Sequence, residues 1–114
     1  PKAIGRDADN DEPSVKPFGG YDSNFVISGH PVATTVGDQT GITMVTDTDQ
    51  PGVQLYTANA LTDRKGKGGK EYSSRSAFCL ETQHYPDSIH HPQWPSCILR
   101  KDEAFHSFTS YTFS

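Results

Sequence analysis

Short runs of β-branched and aromatic residues, separated by turn residues, constrain this fold more than any other feature of the sequence. The runs cover residues 24–27, 32–36, 42–46, 53–57, 76–82 and 105–113. They recur at the spacing of roughly 8–12 residues that is typical of β-sandwiches. Their Val, Ile, Thr, Phe and Tyr side chains fit the pleated surface of a sheet. Because no window combines a helical apolar period with helix caps, the sequence predicts an all-β fold without a long helix.

The apolar content is low for a chain that must enclose its own core. Hydrophobic residues make up 32% of the 114 residues, whereas a typical globular domain has roughly 45–50% on a count that includes glycine. The 10 glycines narrow this gap without closing it. Two interpretations stay open, a thin all-β domain and a part of a larger one. The acidic, polar residues 1–15 are predicted to form an arm or loop ahead of a domain portion over residues 16–114.

Charge and hydropathy argue against two classes of partner. The formal charge of −4 argues against nucleic acid, since phosphate binding needs a basic face. The basic run over residues 64–70 contains three glycines and is predicted to be a solvated loop tip. No window approaches the roughly 18 apolar residues that a membrane span needs, so no membrane partner is expected. No signal peptide is visible in a chain that starts at Pro1, and a cytoplasmic location is the default expectation.

Neither the cysteines nor the histidines follow a recognised ligand spacing. Cys79 lies in an apolar run and is predicted to be a buried free thiol, although a disulfide with Cys97 stays open. His84, His90 and His91 lie close together in sequence but lack the repeated pairs that are typical of zinc sites. We therefore expect no metal site.

Glu81 is the leading candidate for a catalytic base. It follows the apolar run 77–80, and on a strand over residues 78–82 it shares a face with Cys79. A carboxylate beside an apolar run can lie in a partly dry site, where desolvation raises its pKa toward that of a useful general base. The alternative is an exposed glutamate at the end of a strand.

A second candidate constellation combines aromatic rings with polar side chains. It consists of Tyr56, Tyr85 and Trp94 with Gln54, Asn59, Gln83, His84, His90 and His91. Sugars present hydroxyl groups around the ring edge and C–H groups on the ring faces, so a sugar site needs aromatic rings together with amides and carboxylates. The same composition also suits any polar β surface.

Three motifs and a matching tail carry a family resemblance. The motifs are Gly19-Gly20-Tyr21-Asp22-Ser23-Asn24-Phe25, Pro51-Gly52-Val53-Gln54-Leu55-Tyr56-Thr57-Ala58-Asn59 and Phe78-Cys79-Leu80-Glu81-Thr82-Gln83-His84-Tyr85-Pro86-Asp87. The tail continues with Pro95-Ser96-Cys97-Ile98-Leu99-Arg100 and ends in Tyr111-Thr112-Phe113-Ser114. In this order and at this spacing they resemble the aldose 1-epimerase (galactose mutarotase) family, from Lys16 to the end of the chain.

The resemblance implies a large antiparallel β-sandwich, the galactose mutarotase-like supersandwich. It also implies interconversion of the α and β anomers of free aldoses such as galactose and glucose, without a cofactor. By the same resemblance, Glu81 is the general base, Asp22 hydrogen-bonds sugar hydroxyls, and Gln54 lines the sugar site. Tyr56 follows Gln54 by two residues, so on a strand it shares that face and is expected to pack on the sugar ring.

The resemblance also shows what these residues lack. The family's acid-side histidines and a sugar-binding arginine lie upstream of all the motifs found here, and none of the five histidines in this chain matches them. The chain therefore resembles the C-terminal portion of the family domain, and the N-terminal part of the same domain is its expected partner. The alternative is a non-catalytic mutarotase-like module that binds a carbohydrate or another partner. Glu81 within its full motif favours the enzyme.

Overall fold

The computed structural model describes residues 2–114 and confirms the all-β prediction. Eight strands follow one another in residues 2–114: β1 Asp22–Val26, β2 Ala33–Val36, β3 Thr43–Thr48, β4 Gly52–Tyr56, β5 Arg64–Lys65, β6 Glu71–Tyr72, β7 Cys79–Gln83 and β8 Thr109–Phe113. The helical elements among these residues are short 3-10 helices at Ile4–Asp7, Lys16–Phe18, Lys67–Gly69 and Ser88–His90. No helix in residues 2–114 is both long and apolar enough to cross a membrane.

The first of two compact units contains the chain up to Ser23 together with Gln54–Glu81. Parts of β1, β4 and β7 belong to it, and these strands pair in the order β1–β4–β7. Its buried apolar side chains include Ala8, Val15 and Ala58. The predicted polar arm over residues 1–15 therefore contributes two side chains to the core of this unit, while its first residue, Pro1, lies outside the described residues.

The second unit contains Asn24–Val53 and Thr82–Ser114. Its sheet has the order β2–β3–β8, and both pairings are antiparallel. Thr46 in the central strand pairs with Ala33 on one side and with Tyr111 on the other, and its exposure is 0%. A β-branched residue fits this position because both neighbouring strands pack beside it.

The basic run over residues 64–70, predicted as a solvated loop tip, lies in an exposed hairpin. Strands β5 and β6 pair Lys65 with Glu71, and a 3-10 turn joins them. Gly68 and Gly69 adopt φ angles of 66° and 74°, which glycine tolerates without the steric cost of a Cβ atom. The charged side chains of this run are exposed, so they remain in solvent.

The prediction that Cys79 is a buried thiol is wrong. Cys79 is a free, exposed cysteine at the start of β7, and Cys97 is also free and exposed. Side chains alternate along a strand, so the half-buried Leu80 takes one face of β7 and leaves Cys79 and Glu81 on the other. The apolar run in the sequence therefore does not mean that both faces of this strand are covered.

Candidate functional site

A hollow of about 330 Å³ lies in the first unit, and we call it the Glu81 hollow. Its lining residues are Phe18, Asp22, Tyr56, Asn59, Ala60 and Glu81. Asp22 begins β1, Tyr56 ends β4 and Glu81 lies in the middle of β7. Because these three strands are neighbours in the sheet, three residues that are far apart in sequence reach one surface. The structure thus brings together three of the four site residues predicted from the sequence.

Gln54, the fourth predicted residue, contacts Asp22 instead of lining the hollow. Its Nε2 donates a hydrogen bond of 2.8 Å to Asp22 Oδ1, across the neighbouring strands β4 and β1. Its Oε1 is buried and has no hydrogen-bond partner among residues 2–114. The amide thus fixes the orientation of the Asp22 carboxylate, whose remaining lone pairs can accept further hydrogen bonds.

The Tyr56 ring is held by the turn that follows β4. The Ala60 N–H donates to the Tyr56 hydroxyl oxygen at 3.1 Å. A phenol that accepts one hydrogen bond still has its own proton to donate. Tyr56 therefore offers the hollow both a fixed aromatic ring and a hydrogen-bond donor.

The Glu81 carboxylate is exposed in residues 2–114. These residues therefore do not provide the partly dry setting that was expected from the apolar run. The more buried face of β7 carries Leu80 and Thr82, whereas Glu81 lies on the other face. An ionised carboxylate accepts hydrogen bonds and cannot donate them, so in this state Glu81 can only take up a proton.

Sequence reasoning missed Phe18 and Ala60 as lining residues, and it named Asn59 only as part of a polar cluster. Phe18 precedes Gly19 and Gly20, whose φ angles are 65° and 149°. A Cβ atom on Gly20 would lie 2.2 Å from Asn59 Oδ1, so glycine allows the chain to turn closely past Asn59. The paired glycines were the available signal for this close approach.

The set of aromatic and polar residues predicted as a second candidate site is divided between the two units. Tyr85 and Trp94 meet edge to face at 5.4 Å, and His91 stacks on Trp94 at 4.0 Å, all within the second unit. Asp87 pairs with His90 in the same unit. In residues 2–114 no group of three or more His, Cys, Asp or Glu side chains is placed to hold a metal ion.

Comparison with known proteins identifies the family. The aldose 1-epimerase family model matches residues 1–112. Human galactose mutarotase is 40% identical over 100 residues, which are 83% of this chain and 29% of the human protein. The aldose 1-epimerase of Escherichia coli K12 is 34% identical over 113 residues, which are 93% of this chain and 32% of that protein.

A solved structure supports the same assignment. The crystal structure of the GalM/aldose epimerase homologue from C. elegans matches with a TM-score of 0.72 and 28% identity, covering 82% of this chain and 30% of that one. The chain thus spans about a third of the length of its relatives and corresponds to their C-terminal portion. These matches confirm the resemblance found in the three motifs, and the chain belongs to the aldose 1-epimerase family.

Proposed function

We propose that this chain carries the general base and part of the sugar-binding surface of an aldose 1-epimerase. The reaction is the interconversion of the α and β anomers of free aldoses such as galactose and glucose. The observation that carries the proposal is the convergence of Asp22, Tyr56 and Glu81 on one hollow. The names of the relatives, galactose mutarotase and aldose 1-epimerase, support this reaction class.

Glu81 acts as the base in the proposed mechanism. Anomers exchange when the hemiacetal ring opens and closes again on the other face of C1. Opening requires removal of the proton from the C1 hydroxyl and protonation of the ring oxygen as the C1–O5 bond breaks. Glu81 takes the C1 hydroxyl proton and returns it on closure, and one such positioned transfer contributes typically about 10²–10⁴-fold. The step needs no metal or nucleotide.

Asp22 and Tyr56 hold the sugar, and Gln54 orients Asp22. The Asp22 carboxylate accepts hydrogen bonds from sugar hydroxyls, and Gln54 keeps it in one orientation through the 2.8 Å bond. Tyr56 presents its ring to the C–H face of the sugar and donates a hydrogen bond from its hydroxyl group. A site that combines a planar apolar ring with fixed polar groups suits a pyranose, which has both kinds of surface.

The N-terminal part of the same domain is the proposed partner and source of the acid. The chain covers 29% of human galactose mutarotase, so most of that relative lies outside the matched region. The exposed Glu81 carboxylate would then become drier when that part closes over the hollow. We also propose a cytoplasmic location, which the two free cysteines support because thiols persist in reducing compartments. Cell fractionation tests the location.

Mutarotation of freshly dissolved α-D-galactose, followed by polarimetry, tests the proposed activity. The assay uses a chimeric protein, which we call the completed domain. In it the 114 residues follow the N-terminal part of human galactose mutarotase, which is the part that this chain does not match. We expect Glu81→Gln to lower the rate by at least about 10²-fold, because the amide cannot accept the proton. Glu71→Gln, in the exposed hairpin, is the matched control and should leave the rate unchanged.

Two outcomes would contradict the proposal. A folded completed domain that binds galactose without turnover would identify a carbohydrate-binding module. A Glu81→Gln variant within about threefold of the wild type would remove Glu81 from the role of base, since loss of a general base costs far more.

A further inference from the structure

Arg75 adopts an unusual backbone conformation beside the Glu81 hollow. Its φ angle is 62°, in the left-handed region that residues with a Cβ atom rarely occupy. Its N–H donates to the carbonyl oxygen of Ala58 at 3.2 Å, and Ala58 also has a positive φ of 52°. Two strained residues joined by a hydrogen bond persist only when surrounding contacts hold them in place, and such residues cluster at functional sites.

The Arg75 side chain supplies those contacts. Its Nε and Nη2 both donate to the carbonyl oxygen of Gly19, at 2.9 and 2.5 Å. Nη2 also lies 2.6 Å from Asp9 Oδ1 and 3.5 Å from the carbonyl oxygen of Ala8. The hydrogen bond with Asp9 raises the pKa of Arg75. A planar guanidinium can make this two-pronged contact with one carbonyl, whereas a lysine ammonium cannot reproduce its geometry.

Gly19 belongs to the segment that carries Phe18 and Asp22 into the hollow. The turn after β4 holds the other end of this segment. Asn59 Nδ2 and the Thr57 N–H donate to the Tyr21 carbonyl oxygen at 2.8 and 3.1 Å. In return, the Tyr21 N–H donates to Thr57 Oγ1 at 3.0 Å. The residues that lead into Asp22 are thus fixed at both Gly19 and Tyr21.

The turn that makes these bonds is itself tied to the segment around Arg75. Ser74 Oγ donates to the carbonyl oxygen of Asn59 at 2.9 Å, next to the bond from Arg75 to Ala58. Through its backbone N–H Arg75 therefore bonds to Ala58, which directly precedes the wall of the hollow formed by Asn59 and Ala60. Through its guanidinium it bonds to Gly19, which lies in the chain between the lining residues Phe18 and Asp22.

We propose that Arg75 is a positioning residue that clamps these two walls together and thereby fixes Asp22 and Phe18 for sugar binding. Arg75 does not line the hollow, so it acts through Gly19 and the turn rather than by touching the sugar. The inference rests on the proposed aldose 1-epimerase function, and it adds a residue that the three motifs do not contain.

A kinetic comparison separates positioning from a general loss of stability. Loss of stability lowers the active fraction, so the apparent kcat falls while KM stays the same. A misplaced Asp22 instead weakens sugar binding while the base on β7 is unaffected, so KM rises. We expect Arg75→Gly to raise KM for galactose by about tenfold and to change kcat by less than about threefold, as loss of uniform binding predicts. Glycine tolerates the positive φ, so this variant removes the clamp without adding backbone strain.

Two further variants in the completed domain sharpen the test. Arg75→Lys keeps the charge but loses the two-pronged contact of the guanidinium with the Gly19 carbonyl. Its KM should therefore also rise by several-fold, in the direction of Arg75→Gly. If Arg75→Gly does not fold, Arg75→Lys gives the same comparison. Asp9→Asn is the matched control, because it removes the ion pair with Arg75 and leaves both bonds to Gly19. Its KM should stay within about twofold of the wild type, since an exposed ion pair contributes little.

Amide hydrogen exchange provides a readout that does not depend on catalysis. The Tyr21 and Thr57 amides, which bond across the two walls, should exchange faster in Arg75→Gly than in the wild type. Amides between β3 and β8 in the other unit should exchange at the wild-type rate.

Each contrary result has a distinct meaning. Unchanged exchange at Tyr21 and Thr57, or a fall in kcat at constant KM, would overturn the clamp. An Asp9→Asn variant as impaired as Arg75→Gly would show that Arg75 merely anchors the N-terminal segment. An inactive wild-type completed domain would refute the proposed function, while the exchange measurement would still decide whether the clamp exists.

Discussion

Replacing Gly20 by alanine should destabilise the protein far more than a usual surface substitution. Gly20 has a φ of 149°, and an added Cβ atom would meet Asn59 Oδ1 at 2.2 Å and Thr57 Oγ1 at 2.8 Å. Neither neighbour can move without losing a hydrogen bond, because Asn59 Nδ2 donates to the Tyr21 carbonyl oxygen and Thr57 Oγ1 donates to Asn59 Oδ1. The substitution must therefore displace the turn that forms one wall of the Glu81 hollow.

The magnitude follows from two contributions. A residue with a Cβ atom in a sparsely populated backbone region costs on the order of 1–3 kcal/mol. Each hydrogen bond broken as Asn59 or Thr57 moves adds about 0.5–1.5 kcal/mol. Together we expect Gly20→Ala to lower the free energy of unfolding by about 2–4 kcal/mol.

Urea unfolding of the completed domain, followed by circular dichroism, measures this loss. Gly5→Ala is the matched control in the same unit, because its Cβ atom would meet nothing within 4 Å. The control should stay within about 0.5 kcal/mol of the wild type, as is usual for surface substitutions. A Gly20→Ala variant as stable as Gly5→Ala, with an unchanged m-value, would show that the turn around Asn59 is not packed as described.

Three further predictions concern the site and the second unit. Asp22→Ala should lower kcat/KM for galactose by a factor that corresponds to about 1–3 kcal/mol, because sugar hydroxyls lose their acceptor, and an unchanged value would exclude Asp22 from binding. Activity should survive exhaustive EDTA treatment, and loss of activity that zinc restores would overturn the metal-free mechanism. The hydrogen bond from the Phe108 N–H, first among several causes, lowers the pKa of Asp49 below its ordinary 3.8. Because the pKa is lower in the folded state, this stabilisation is complete above the unfolded pKa and is lost as the pH falls through the folded pKa. The protein should therefore lose stability between about pH 5 and about pH 2 in thermal unfolding, and Asp49→Asn should lose less.

The sequence predicted the strands well because their residue types match the pleated surface on which they lie. The predicted ends of the strands were less accurate. The predicted run 24–27 begins at Asp22 in the structure, where the polar side chain accepts a hydrogen bond from Gln54 on the next strand. The predicted run 105–113 is shortened to Thr109–Phe113, the strand whose residues pair in register with Met44–Thr48 of β3.

The sequence predicted those lining residues of the Glu81 hollow that lie in motifs, and it missed those that depend on the geometry of turns. Asp22, Tyr56 and Glu81 lie in motifs, whereas Phe18 and Ala60 reach the hollow in two separate turns, whose directions depend on the positive φ angles of Gly19 and Gly20 and of Ala58. Residue types alone do not specify those angles or the register between strands. The exposure of Cys79 was missed for a related reason, since an apolar run does not reveal which face of its strand is covered.

The position of Cys79 has a consequence for the chemistry of the Glu81 hollow. Cys79 and Glu81 share one face of β7, and a strand rises about 3.3 Å per residue, so their Cα atoms lie about 6.6 Å apart. A free, exposed thiol is open to alkylation and to oxidation up to the sulfinic acid. A sulfinate at Cys79 would add a negative charge beside the carboxylate that we propose takes up a proton. Oxidative ageing of this protein would therefore alter the surroundings of its proposed base. In a Cys97→Ser variant, which removes the other free and exposed thiol, a thiol-reactive dye on Cys79 would give a reporter next to Glu81.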